Sequence, residues 1–539
     1  MIDQLPVIIV LAPLFGALLV GLIGAKNHSA CPPIAFSVLL ISLISTIVTA
    51  MMVSSGGPID YYVGGWGAGK MIEGVEIPRG FGIQLRVDQL NSLVLVVIGI
   101  VVLLVSIFAI RRQGSEDTEK THYFYALFLM LCCGLFGMTI TADAFNLFVL
   151  IEVSSLTSYG LIAMGSSPRG TVAAFNYIIM GTVGASFYLL GVGYLYLKTG
   201  TLNMIAIHEI INLGSETGEA IYMSRTIMVA FILILIGMWI KMAFFPLYGW
   251  LPNAYSFCPS STSCVLAPLM TKVSVYVMIR MMITVFGLEW VFGHFDWSHI
   301  IVWLAVIAII AGSLFALAQT HLKKMLCYLI VAEVGYMVGG AWLADTERWG
   351  LTGSIYHILA DALMTLCLFL AAGIFARQRD IRKLEDLDGL FKKMPLTMIG
   401  LVVGALAMIG VPPTCGFFSK FYLIRGGIEA GHWEYVVALL VSSLVNAVLF
   451  FRIFEIAYFG KKPSDGHGAH DGEEGGGPYP VQSGTVQGTV KSGEGGITAL
   501  LPLWVTAVLI VALGLMNGQV VEFIRETAGL ITDFTAIVD

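Results

Sequence analysis

The 539 residues are 57% hydrophobic and only 12% charged, with a net charge of −6, whereas soluble domains carry about 25% charged residues. This balance excludes an ordinary soluble enzyme, and the lack of a basic cluster interleaved with aromatics excludes nucleic acid as a partner. A lipid bilayer suits the composition, because a helix needs about 20 apolar residues to cross the hydrocarbon core and such runs recur along the chain.

The first run, Leu5 to Ile23, follows Met1-Ile-Asp-Gln. That start lacks the basic region of a cleaved signal peptide, so the run reads as a true spanning helix. About 14 spans are predicted in all, centred near residues 14, 43, 99, 131, 153, 184, 236, 272, 308, 334, 364, 407, 447 and 508. Only helices or closed barrels satisfy backbone polar groups in lipid, and these runs are too long and continuous for barrel strands. The fold class is therefore all-α, a polytopic membrane protein. After the second span, residues 55–85 are Gly-rich with alternating apolar positions, which predicts a short external hairpin. Residues 463–496 are Gly- and acid-rich and read as a flexible loop. His467 and His470 within it are too few for a metal site, which needs three or four converging ligands.

Lys and Arg concentrate in alternate loops, at Lys26, Arg111 to Lys120, Arg169, Lys323–Lys324, Arg377 to Lys393, and Lys461 to Lys491. By the positive-inside rule these loops are cytoplasmic and both termini lie outside, in the plasma membrane of a prokaryote. The eight cysteines lie mostly inside apolar runs and form no CxxC pair. They read as packing thiols rather than ligands of zinc or an iron–sulfur cluster. No quinone, flavin, haem or nucleotide motif is present, so no cofactor is expected and any redox chemistry lies in other subunits.

Against this apolar background, seven ionisable residues fall within spans: Glu152, Lys241, Lys272, Glu333, His357, Asp361 and Lys420. Each costs at least a few kcal/mol to insert, and such residues mark ion pathways by default. Pairs that merely fix helix packing would account for one of them more easily than for seven spread over six helices. Lysine suits proton transfer because burial disfavours its charge while a nearby carboxylate restores it. Glu152 and Lys241 are the natural switchable pair. His357 and Asp361, four apart, share a helix face and are expected to pair with each other. Pro246 and Pro252 follow Lys241, and Pro412 and Pro413 precede Lys420. Proline breaks a helix, and broken helices at membrane depth line polar cavities in transporters. The two breaks, five spans apart, suggest two structural repeats. The expected organisation is an N-terminal unit with the hairpin (1–110), repeats at 111–290 and 291–460, a loop at 461–497, and a C-terminal helix and tail (498–539).

The stretch Asp143-Ala-Phe-Asn-Leu-Phe-Val-Leu-Ile-Glu-Val-Ser-Ser-Leu-Thr-Ser-Tyr resembles the fifth helix of the antiporter-like subunits of respiratory complex I and Mrp cation/proton antiporters. Lys241-Met-Ala-Phe-Phe-Pro-Leu-Tyr-Gly-Trp-Leu-Pro-Asn-Ala-Tyr, Thr271-Lys-Val-Ser-Val-Tyr, Lys323-Lys-Met-Leu-Cys-Tyr and Pro412-Pro-Thr-Cys-Gly-Phe-Phe-Ser-Lys extend the likeness over about residues 86–460. Phe145-Asn-Leu-Phe and Thr199-Gly-Thr-Leu-Asn-Met look closest to the Mrp D subunit and its relatives in membrane-bound hydrogenases. The resemblance implies fourteen helices, an inverted five-helix repeat and a mid-membrane polar axis. It gives Glu152 and Lys241 the role of the Glu–Lys pair, Lys272 that of the central lysine, Lys420 that of the terminal lysine and His357 that of the eleventh-helix histidine. Glu333 and Asp361 depart from the family pattern, so the link from Lys272 to Lys420 is expected to be acid-assisted or tuned to another ion. The implied function is proton translocation within a multisubunit complex, an Mrp-type Na+/H+ antiporter or a complex I- or hydrogenase-like pump. Its partners would be other membrane subunits, protons and, in the antiporter case, Na+. The alternatives are a proton-conducting membrane partner of a soluble enzyme, as in inorganic carbon uptake, and a structural scaffold, against which the lysine row argues.

Overall fold

The computed structural model describes residues 4–66, 71–72, 75–76, 82–110, 120–165, 168–216, 224–293, 297–460 and 494–530. The loop predicted at 463–496, with His467 and His470, lies almost wholly outside the described residues. Two helices open the chain, α1 (Leu5–Gly24) and α2 (Cys31–Gly56), the second led in by Pro32 and Pro33, whose fixed φ suits a first turn. Strands β1 (Ile59–Tyr62), β2 (Met71–Ile72), β3 (Val75–Glu76) and β4 (Gln84–Val87) then form the expected hairpin. β1 pairs antiparallel with β4, Ile59 opposite Val87, and β2 pairs with β3 nearer the tip.

Helices α3 (Gln89–Ala109), α4 (Thr121–Ile140), α5 (Ala144–Ala163) and α6 (Pro168–Thr199) follow. Asp88 and Asn91 form a capping box that starts α3 directly after the hairpin. Next come α7 (Met204–Glu216), α8 (Arg225–Met242), α9 (Leu251–Phe257) and α10 (Ser260–Arg280), which continues into a π-helical turn at Met281–Phe286. The second half holds α11 (Leu288–Gly293), α12 (Ser298–Leu317), α13 (Leu322–Ala341) and α14 (Trp349–Arg379). It continues with α15 (Leu390–Lys393), α16 (Pro395–Ile409), α17 (Cys415–Glu429) and α18 (Trp433–Phe459), and α19 (Ile497–Leu515) and α20 (Asn517–Leu530) end it.

Among the described residues, 13 helices are long and apolar enough to cross a membrane. The fourteenth expected span is the broken pair α16–α17, whose halves are each 15 residues. Two helices form the centre of the molecule. α14 is buried throughout its most apolar stretch, and α10 nearly so. The peripheral helices α1, α2, α6, α18 and α19 instead turn large apolar side chains outward, among them Leu22, Leu197, Phe459 and Ile497, as a lipid-facing surface requires.

The hairpin is tied to the loops beside it: Ala142 N donates to Gln84 O (2.9 Å) and Asn203 Nδ2 to Gln84 Oε1 (2.6 Å). On the opposite face, Leu322 N donates to Arg382 O (3.0 Å) and Leu384 N to Thr320 O (2.8 Å). The hairpin face also carries the start of α20, where Tyr422 Oη donates to Asn517 Oδ1 (2.9 Å). All eight cysteines are buried and free, as their sequence setting predicts.

Candidate functional site: a row of buried ion pairs

Lys241 occupies the last turn of α8. The helix stops one residue later because Ala243 is left-handed (φ 59°), and Phe244 N turns back to Trp239 O (2.9 Å). Pro246 lies in the unwound stretch that follows, while Pro252 sits in the first turn of α9, where a missing N–H costs nothing. The Lys241 ammonium donates to Ser155 Oγ (2.8 Å) and to Glu152 Oε1 (3.3 Å). Both acceptors come from α5, three residues apart on one face. Lys241 is buried but Glu152 is 25% exposed, so water screens this pair more than a fully enclosed one. Beside the ammonium, Ser154, Ser155 and Ser274 border a cavity of about 10 Å3, traced by the centre of a water-sized sphere. That is close to the least volume that holds one water. Ser274 belongs to α10, so the cavity opens from Lys241 toward the helix that carries the next lysine.

Lys272 of α10 is enclosed. Its ammonium meets Asp361 Oδ2 of α14 at 2.8 Å, both side chains being no more than 1% exposed. It also donates to Ala267 O (3.2 Å) and Thr365 Oγ1 (3.4 Å). Thr365 Oγ1 donates in turn to Asp361 Oδ1 (2.7 Å). This overturns one expectation. His357 and Asp361 do share a face of α14, but they do not pair. Lys272 on another helix reaches Asp361, and His357 turns to Glu333.

His357 Nε2 lies 2.6 Å from Glu333 Oε2 of α13, and Nδ1 lies 2.9 Å from Ser419 Oγ of α17, in an enclosed setting. Ser419 Oγ also lies 3.0 Å from Gly416 O, and its hydroxyl can accept from or donate to the ring, the roles following the imidazole tautomer. A group that already shares a proton across 2.6 Å is well disposed to pass one on. One ligand atom each of Glu333, His357 and Asp361 fall within 4.8 Å of one another, and Glu333 Oε1 makes no hydrogen bond. The donor set suits a cation in type, but the Lys272 ammonium already occupies Asp361 and opposes a metal ion there.

Among the described residues, Lys420 of α17 has no carboxylate within ion-pair distance. Its ammonium donates to Met408 O (2.7 Å) and Ile409 O (3.4 Å), carbonyls at the end of α16, and to Ser443 Oγ (3.1 Å); Met408 O accepts from Asn446 Nδ2 as well (3.3 Å). α16 ends because Gly410 is left-handed (φ 94°), and Pro412 and Pro413 lie in the unwound link to α17. A lysine at the negative end of a helix is favourably placed. The Tyr336 ring, 5.2 Å from the ammonium, stands edge-on to His357, with ring centroids 5.5 Å apart.

Six of the seven residues picked from the sequence thus fall into three ion pairs across α5, α8, α10, α14 and α13, and the seventh, Lys420 of α17, is held by backbone carbonyls and a hydroxyl. Sequence reasoning passes over Ser155, Thr365, Ser419 and Ser443, which complete the polar shells. Ser155 and Thr365 carry a signal, standing three and four residues after Glu152 and Asp361. Ser443 carries none.

The family profile described as NADH:quinone oxidoreductase/Mrp antiporter, TM, matches residues 141–446. The N subunit of the NADH-quinone oxidoreductase of Desulforudis audaxviator is 38% identical, over 98% of this chain and 99% of its own. The D subunit of the Na(+)/H(+) antiporter of Bacillus subtilis is 29% identical over 84% of this chain and 86% of its own. A chain of the membrane-bound sulfane sulfur reductase, an archaeal respiratory membrane complex, superposes with a TM-score of 0.82 at 26% identity, covering 98% of both chains.

Proposed function

The chain belongs to the NADH:quinone oxidoreductase/Mrp antiporter transmembrane family, and on that footing we propose that it translocates protons as one membrane subunit of a multisubunit ion-pumping or antiporting complex. The observation that carries this reading is the series of titratable groups at membrane depth, from Glu152–Lys241 through Lys272–Asp361 and Glu333–His357 to Lys420. Structural ion pairs would each be closed and self-sufficient. Here, among the described residues, one acid oxygen is unpartnered and one lysine has only neutral partners. Such incomplete pairing lets a charge on one group alter the preference of the next.

In this reading, residues 111–290 and 291–460 are two repeats, each broken beside its lysine, at 243–250 and at 410–414. The hairpin face is the outside of a prokaryotic plasma membrane and the face bearing Lys323–Lys324 and 380–394 is the cytoplasm, which puts both termini outside. The basic residues gathered on the latter face support this orientation. Na+ is the counter-ion if the partners are those of an Mrp-type antiporter.

The test is proton flux, followed with a pH-sensitive dye in vesicles containing the complex co-purified with this chain. Lys272→Ala should abolish flux in a complex that still assembles. Full flux in that variant would sink the reading. The co-purifying subunits separate the parent complexes: small Mrp-like membrane proteins in one case, nickel or iron–sulfur proteins in the other.

A further inference from the structure

Three tyrosines lie side by side between the Lys241–Glu152 pair and the Lys323–Lys324 face. Tyr159 stands near the end of α5, Tyr177 on α6 and Tyr255 on α9, and all three side chains are buried. The rings of Tyr159 and Tyr177 meet edge to face, with centroids 4.6 Å apart. Tyr177 stacks on Trp250 at 3.9 Å, and Trp250 meets Tyr255 edge-on at 5.8 Å. Trp250 is pinned to the broken helix beside the lysine, its Nε1 donating to Ile240 O (3.0 Å).

The rings explain packing, but the hydroxyls do not. None of the three has a partner in good hydrogen-bonding geometry. A buried polar group left unsatisfied costs about 1–3 kcal/mol, and phenylalanine would give the same ring contacts without that cost. The rings that carry them nevertheless form a sequence of neighbours. Tyr255 and Tyr177 both contact Trp250, Tyr177 contacts Tyr159, and Tyr159 follows Ser155 by one turn of the same helix. Ser155 accepts from the Lys241 ammonium. At the far end Cys258 Sγ donates to Tyr255 O (3.3 Å), and Ser256 Oγ lies 3.6 Å from Cys327 Sγ. Beyond them α10 and α13 begin, and Lys323 Nζ donates to Ser260 Oγ (3.2 Å). Gly181 makes room for the arrangement: a Cβ there would lie 1.8 Å from the Tyr159 hydroxyl oxygen.

We propose that Tyr255, Tyr177, Tyr159 and Ser155 form a hydroxyl relay that carries protons between the Lys323–Lys324 face and the Lys241–Glu152 pair. Each hydroxyl oxygen accepts a proton from the side facing that surface and releases its own hydrogen toward the next oxygen. No bond other than O–H changes, and every tyrosine ends neutral. The last hydrogen passes from Ser155 to the Lys241 amine when Lys241 is uncharged, which restores the ammonium beside Glu152. The tyrosines carry the proton themselves, and Ser155 is the member of the relay that meets the Lys241 ammonium. The inference rests on the proton-translocating reading above.

The experiment uses the co-purified complex in vesicles and compares Tyr177→Phe, Tyr159→Phe, Tyr255→Phe and Glu152→Gln. Phenylalanine keeps the ring stack, so assembly should be unchanged. Each Phe variant should lose about tenfold or more in proton flux, a modest loss for a proton-transfer group, and show a larger solvent isotope effect than wild type. Gly181→Ala adds a second arm by pushing the Tyr159 hydroxyl aside. If the hydroxyl matters, Gly181→Ala combined with Tyr159→Phe stays as slow as either alone. If only packing matters, removing the clashing oxygen restores flux and the relay is refuted. Wild-type flux in all three Phe variants while Glu152→Gln is inactive overturns the relay and leaves the pathway standing. Wild-type flux in Glu152→Gln as well overturns both.

Discussion

Replacing Asp361 by asparagine should act on Lys272, across a helix interface, and not on His357 in its own helix. The side chains of Lys272 and Asp361 are almost fully enclosed and 2.8 Å apart. Removing one partner of a buried pair costs about 3–5 kcal/mol, because the other charge stays in a poor medium. What would remain for the ammonium is Ala267 O and Thr365 Oγ1 at 3.2 and 3.4 Å, neither able to supply a full opposing charge. If charged Lys272 is a required state of the cycle, that penalty adds to the barrier, and at about 1.4 kcal/mol per factor of ten it slows flux by roughly 10²- to 4 × 10³-fold. The assay is dye-monitored flux in vesicles on Asp361→Asn, Lys272→Met, His357→Ala and the paired doubles, with assembly checked by co-purification. Asp361→Asn with Lys272→Met should be no slower than the slower single variant, since the two act as one unit. Asp361→Asn with His357→Ala should be slower than either. The reverse pattern, with Asp361 coupled to His357 and independent of Lys272, would refute the pairing derived from the structure.

Glu152→Gln and Lys241→Ala should each stall flux, and their double should be little worse than either. Their coupling should be weaker than that of Lys272 with Asp361, since Glu152 is part-exposed and further away; additive losses in the same flux assay would exclude a joint role. Glu333→Gln and His357→Ala should each cut flux severely while the complex still assembles, because each removes one end of the shared proton; normal flux in Glu333→Gln takes that residue out of the pathway. On the hairpin face, burial pushes the Asp345 carboxyl up to about 6 despite two bonds from Gly350 N. A raised carboxyl favours the folded state while protonated, so this contribution is present below about pH 4 and is lost as pH rises through about 6. Asp345→Asn should flatten the thermal stability of the purified protein between those values, and an unchanged slope would disprove it. With all eight native cysteines buried, a label on Glu385→Cys should react only from the cytoplasm, and labelling of intact cells from outside would reverse the proposed orientation. Position 115, expected on the same side of the membrane, lies outside the described residues.

The spans, the hairpin and both helix breaks can be read from the chain because each has a local cause: apolar length, alternation with glycine, and proline. The Glu152–Lys241 pair is legible on chemical grounds, as an acid and a base each stranded in an apolar run. Asp361 is misassigned from sequence because spacing shows which residues share a face of one helix, whereas the rotation and tilt of neighbouring helices decide who meets that face. α10 and α14 pack closely along their length, which brings Lys272 to an acid 89 positions further along the chain. For Lys420 the signal is absent in principle. Its main acceptors are backbone oxygens, which every residue has, and only the way α16 ends frees those two from helical partners.

That cage around Lys420 has a mechanical consequence. A carboxylate can let go of a lysine by taking up a proton, so Glu152 and Asp361 hold their partners through bonds that chemistry alone can undo. A backbone carbonyl takes up no proton at any cellular pH, so the grip of Met408 and Ile409 on the terminal ammonium does not fade with acidity or with the charge state of its surroundings. It loosens when the ammonium itself gives up its proton or when the end of α16 and the start of α17 move apart, about the unwound stretch that begins at Gly410. The acceptor beside the first break can thus let go by titrating, whereas those beside the second can let go only by moving, which makes the 410–414 link a point where motion imposed from outside this subunit would reach the lysine.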